Sequence, residues 1–97
     1  MAIKDRIKAL RRVRGRDLLP SPKNWRIHPQ AQRDALNGVL AQVGYADAVL
    51  VRELEGGALE IIDGHLRVEE ADPDQELPVL VLDVTDAEAD LILATHD

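Results

Sequence analysis

The sequence predicts a small α+β domain, a mixed β-sheet with flanking helices. Three observations carry that prediction. Aliphatic runs of strand length, "AVLVREL" (48–54), "ALEII" (58–62) and "LPVLVLDV" (77–84), alternate with segments whose apolar residues recur at helical spacing. The first two runs are joined across Glu55-Gly56-Gly57, a hairpin signal. The chain has 97 residues, 45% hydrophobic and 31% charged, which is the composition of one globular domain. Trp25 and Tyr45 are the only aromatic residues, so the core must be aliphatic. The absence of cysteine removes disulfides, thiolate chemistry and cysteine-ligated zinc. No stretch approaches the roughly 18–20 apolar residues of a membrane span, and the basic N-terminus lacks the apolar segment of a signal peptide. The chain therefore reads as soluble and cytoplasmic, with no membrane partner.

Taken in order, Ile3, Ile7, Leu10 and Val13 recur at helical spacing among basic residues, which predicts a basic amphipathic helix over 1–15, stopped at Gly15. Residues 16–97 form the α+β domain proper. "RDLL" is a short strand closed by Pro20. "PSPKNWRIHP" (20–29) has three prolines and no period, a long loop for so small a domain. Pro29 suits the first position of a helix, with Leu36, Val39, Leu40 and Val43 as its apolar stripe and Gly44 as its stop. The hairpin follows. "HLRVEEA" turns into a short helix ending near Asp72-Pro73, and "LPVLVLDV" reads as a strand buried on both faces. Thr85 and Glu88 form a capping box for a last helix through Ala94. Leu91 to Ala94 are apolar, and they predict packing on this domain, on a second copy as a homodimer, or on a continuation of the chain.

Charge is unevenly distributed. Residues 1–33 carry ten Lys/Arg and two Asp, a net of +8; residues 34–97 carry two Arg and sixteen Asp/Glu, a net of −14, which together give the overall −6. Such polarity points to a polyanionic partner or to a basic segment lying against the acidic remainder of the same domain.

The chemistry concentrates at "IIDGHLR" (61–67). A strand passing through Gly64 into a helix lets an oxygen-rich ligand approach the backbone. Arg67 offers a planar fork for phosphate, and His65 can donate to a phosphoryl oxygen. Asp63 can accept a proton or hold a magnesium water, and Glu69 and Glu70 are further acids nearby. The bland reading stays open beside this: a turn glycine, a surface histidine, and Arg67 paired with Glu70. In the long loop Lys23, Asn24, Arg26 and His28 are four donors among prolines. Trp25 is a base-stacking platform or a core anchor, and His28 a ligand or a helix cap. His28, His65 and His96 lack metal-ligand spacing, and no nucleophile elbow or Walker-type glycine loop is present.

These residues in this order, "LLPSPKNWRIHP", a helix, "AVLVREL…ALEIIDGHLR" and "LPVLVLDV", resemble the ParB/sulfiredoxin superfamily over roughly residues 16–95, most closely its stand-alone ParB-like nuclease domains. The Asp-Gly-His-x-Arg form also resembles the free-serine-kinase branch. The resemblance implies a nucleotide pocket between two boxes. Gly64, His65 and Arg67 would take the phosphates of CTP or ATP, Arg26, Asn24, Lys23 and His28 would close over them, and magnesium would serve as counter-ion. Asp63 falls where kinase-like members keep an acid, and with His65 it is the candidate catalytic pair. His65 and Leu66 replace the Glu and first Arg of the Gly-Glu-Arg-Arg box of ParB. No helix-turn-helix follows within these residues, and sulfiredoxin chemistry needs a cysteine that this chain lacks.

Three functions are thereby open. The first is a nucleoside-triphosphate-binding domain with nucleotidase or phosphotransferase (hydrolase) activity. The second is a DNA-binding or DNA-nicking module using Lys4, Lys8, Arg11, Arg12 and Arg14. The third is a non-catalytic interaction domain.

Overall fold

The aliphatic runs do become strands, because alternate positions of each meet a common interior. The computed structural model describes residues 1–24 and 27–95. Its strands are β1 (Ile7–Arg14), β2 (Leu18–Leu19), β3 (Val49–Glu53), β4 (Leu59–Asp63) and β5 (Glu76–Leu82); its helices are α1 (Gln30–Gln42), α2 (His65–Glu70) and α3 (Asp86–Thr95), with a single 3-10 turn at Gly15–Asp17. The sheet has the order β1-β5-β3-β4-β2. β1 runs antiparallel to β5, β3 parallel to β5, β3 antiparallel to β4, and β2 parallel to β4. This is the mixed sheet of an α+β domain.

One face of the sheet buries Val13, Leu18, Val49, Val51, Leu59, Ile61, Leu77, Val79 and Val81 as one cluster, against which Tyr45, Val68 and Ala71 pack. The opposite face buries Ile62 and Leu82 under Ala89 of α3, with Leu50, Leu80, Val84, Ile92 and Leu93 around them. β5 is an interior strand, fully buried on the first face through Leu77, Val79 and Val81 and half-covered on the other at Pro78 and Leu80. Ile92 and Leu93 are thus used within the domain, and Leu91 is the large apolar residue of α3 left exposed. Of the four apolar residues Leu91 to Ala94, Ile92 and Leu93 are half-buried against the domain, and Leu91 and Ala94 remain exposed. α1 rests on α2 rather than on the sheet and buries none of its residues fully; Val39 and Val43 of its stripe remain exposed. Among the described residues no helix is long and apolar enough to cross a membrane.

The expected helix over 1–15 is replaced by β1. Of its four supposed core residues only Val13 is buried, while Ile3, Ile7 and Leu10 are exposed, so the helical spacing marked no interior face. The open side of β5 offers a seven-residue ladder from Leu82 to Glu76, and pairing there outweighs the weak preference of an isolated basic segment for helix. Arg6 extends the pairing by accepting the Asp83 N–H at 2.8 Å.

The local signals elsewhere hold. Gly56 and Gly57 close the β3–β4 hairpin at φ 89° and 91°. Thr85 and Glu88 cap α3 reciprocally, with N–H to side-chain oxygen distances of 2.9 and 3.2 Å. Pro29 is the residue before the first turn of α1 rather than its first helical residue.

Candidate functional site

β4 ends at Asp63 and the chain turns through Gly64, at φ 100°, into α2. Two constraints require glycine here. The left-handed conformation disfavours any side chain, and a Cβ would stand 3.2 Å from Val49 Cγ2 and 3.3 Å from both Val49 Cα and Arg67 Nη1. Arg67 therefore lies directly over the glycine, and its Nη2 is 3.1 Å from Asp47 Oδ2. The alternative pairing of Arg67 with Glu70 is not formed. Arg33 of α1 instead takes both acids, with Nη1 at 2.5 Å from Glu70 and Nη2 at 3.0 Å from Glu69, and Asn37 adds a 3.2 Å bond to Glu70. The Arg33 guanidinium, helped by Asn37, holds the Glu70 carboxyl below its ordinary value. Glu69 and Glu70 thus clamp α2 to α1.

His65 is buried, only 6% exposed, and its Nε2 accepts the Ser21 N–H at 3.1 Å. A ring nitrogen that accepts a hydrogen bond carries no proton, so the proton of the neutral ring sits on Nδ1 and Nε2 does not itself donate to a phosphoryl oxygen. It anchors the proline-rich loop to the corner instead. From Ser21 the loop turns tightly: Ser21 O accepts the Asn24 N–H at 3.1 Å and Ser21 Oγ the Lys23 N–H at 3.2 Å.

The result is a cleft of about 360 Å³ between loop, corner and α1. The loop contributes Asn24 and His28; the corner contributes Asp63, Gly64, His65, Leu66 and Arg67. The Nε2 of His28 is buried without a hydrogen-bond partner among the described residues, while its Nδ1 lies 3.4 Å from Gln32 Oε1. Lys23 is not in this group. Its Nζ sits 2.6 Å from Asp90 and 3.5 Å from Asp86 on α3, and the bond to Asp90 first of all raises its pKa. Arg26 and Trp25 lie outside the described residues, as does His96.

The sequence reading missed the α1 wall: Gln32, Ala35, Leu36 and Val39. The signal was available, since 32, 35, 36 and 39 share one helical face and His28 leads directly into it. No group of three or more His, Cys, Asp or Glu able to hold a metal occurs among the described residues. One carboxylate, Asp63, lines the cleft. That donor set suits a magnesium ion carried on phosphate oxygens and not a dedicated protein cage.

The DNA candidates lie elsewhere. Lys8, Arg11, Arg12 and Arg14 are on β1, with Lys4 just before it, three strand positions from β4.

The fold is similar to that of several solved proteins. One is the C-terminally truncated chromosome-partitioning protein ParB from Caulobacter crescentus complexed with CTP-γ-S, at a TM-score of 0.72 and 19% identity over 88% of this chain and 50% of that chain. Another is sulfiredoxin from Arabidopsis thaliana, at 0.69 and 15% identity over 88% of this chain and 97% of that one. This chain thus spans half the length of the ParB protein it matches. No family model matches the sequence, and no curated protein is detectably similar to it.

Proposed function

From the ParB/sulfiredoxin fold of this chain, we propose that the cleft binds a nucleoside triphosphate, CTP or ATP, accompanied by magnesium. The observation that carries the reading is the convergence of two segments some forty residues apart, Asn24 and His28 from the loop and Asp63 to Arg67 from the corner, on one cleft. Arg67 is the permanent cation among its described lining residues and takes a phosphate group bidentately. Gly64 leaves the backbone open to close approach, although α2, at six residues, adds little helix dipole. Asn24 and the buried His28 Nε2 face the ligand from the loop side. The apolar wall of Ala35, Leu36 and Val39 suits the flat part of the ligand, with Gln32 to read its polar edge.

Magnesium offsets the phosphate charge, which one arginine tied to Asp47 leaves largely unneutralised. Asp63 is the carboxylate placed to take a proton in any phosphoryl transfer or hydrolysis. His65 is a positioning residue in this reading. The DNA-nicking alternative would need the β1 cations beside the corner, and they stand on the far edge of the sheet.

The test is a thermal-shift series with CTP, ATP, ADP and GTP, with and without magnesium, on the wild type and on Arg67→Ala. A magnesium-dependent rise absent in the variant is expected, and its ranking names the base. No shift with any nucleotide at millimolar concentration removes the proposal.

A further inference from the structure

Seven basic side chains of the described residues, Arg6, Lys8, Arg16, Lys23, Arg33, Arg52 and Arg67, form ion pairs. Lys4, Arg11, Arg12 and Arg14 form none with the described residues and are exposed. The last three share β1, the outermost strand, whose other side pairs with no strand of the described residues. The basic N-terminal segment is therefore neutralised only in part by the acidic remainder of the domain.

The register places these side chains. Ile7, Leu10, Arg12 and Arg14 stand opposite Leu82, Leu80, Pro78 and Glu76, so all four lie on the face that α3 covers further in. The irregularity between Ile7 and Ala9 absorbs Lys8 and brings Ile7 into that row. Arg11, opposite Val79, lies on the other face. Ile7 and Leu10 are 52% and 60% exposed and carry the apolar surface of Leu80 and Leu82 beyond the reach of α3.

We propose that the free edge of β1 receives an acidic, extended polypeptide segment as an added strand. An unpaired strand edge is a template for main-chain pairing, and side chains of an added strand alternate between the two faces. Carboxylates of such a segment meet Arg12 and Arg14 on one face and Arg11 on the other, while its apolar side chains cover Ile7 and Leu10. A second copy of β1 is disfavoured, because like charges would oppose one another across the new ladder. A nucleic-acid backbone would use the arginines but leave the open main-chain edge and both apolar side chains unsatisfied.

The probe is a fluorescein-labelled twelve-residue peptide of alternating Val and Glu, followed by anisotropy at low salt. The wild type is expected to bind it and to show slowed amide hydrogen exchange along β1. Arg11→Gln/Arg12→Gln/Arg14→Gln should weaken binding at least tenfold with the melting temperature unchanged, and N-methylating alternate amides of the peptide should weaken it comparably at constant charge. Equal binding of the methylated peptide overturns the proposal in favour of plain charge attraction. A random DNA duplex that binds through the three arginines while the peptide does not makes the edge a polyanion site instead. No binding of the peptide at millimolar concentration leaves the arginines as guards against edge-to-edge aggregation and overturns it equally.

Discussion

The corner at residues 63–67 and the edge strand β1 both carry clustered polar side chains, and folding treats them in opposite ways. At the corner, His65 holds the Ser21 amide and Arg67 holds Asp47. On β1, the side chains of Arg11, Arg12 and Arg14 hold no partner among the described residues. The cause is position. The corner lies at the end of β4, an interior strand, between the loop and α1, where an unsatisfied polar atom costs about 1–3 kcal/mol. The edge strand stands in water, where a guanidinium is hydrated without penalty. A motif at the rim of a core therefore spends part of its polar inventory on building itself, and only the rest is left for the proposed ligand: here the Arg67 nitrogens that Asp47 does not hold, the bare backbone at Gly64 and the buried edge of His28.

The sharpest way to break the comparison is Gly64→Ala. The left-handed conformation and the crowding against Val49 together should cost about 2–3 kcal/mol, lowering the melting temperature by on the order of 10 °C and abolishing nucleotide binding. An unchanged melting curve would show that the corner is not rigidly held. His65→Ala should cost about 1–3 kcal/mol by orphaning the Ser21 N–H, and should speed hydrogen exchange at that amide. If exchange at Ser21 stays slow while nucleotide affinity is lost, His65 belongs to the ligand after all. Arg67→Ala should remove nucleotide binding and shift stability by less than about 1 kcal/mol, because its pair with Asp47 is at the surface; unfolding instead would make Arg67 a structural residue.

The smallest effect concerns acid. The Arg6 guanidinium first, then the Thr85 backbone N–H, pushes the Glu88 carboxyl down to about 2 from 4.5, and Arg33 moves Glu70 in the same direction. A depressed folded-state pKa contributes stability that is fully present above the unfolded value, near 4.5, and is lost as pH falls through the folded value. Stability should thus decline between pH 4.5 and about 2, and Glu88→Gln should flatten that decline in melting experiments.

Much of this architecture was legible from short-range signals. The hairpin glycines, the capping box at Thr85 and Glu88, the stop at Gly44 and the strand from Leu77 all form as read, since each is decided by residues within a few positions of one another. The cleft was half legible: the loop and the corner do converge, but Lys23 turns away to α3 and the α1 wall went unread. The N-terminal segment was misread because Ile3, Ile7, Leu10 and Val13 fit a helix as well as a strand carrying a bulge.

By itself the sequence determined the turns, the caps and the aliphatic interior, all consequences of local backbone preference and side-chain chemistry. Tertiary structure alone decided three matters. It made β1 a strand, because the open side of β5 supplied the partner. It made the Nε2 of His65 an anchor for the loop, because Ser21 arrives from 44 residues away. It left Arg11, Arg12 and Arg14 of β1 in no ion pair with the described residues, because the strand takes the outer edge of the sheet, where their side chains reach water. Each depends on which distant segment folding brings alongside, and that is settled by burying the common core, not by the residues' own neighbours.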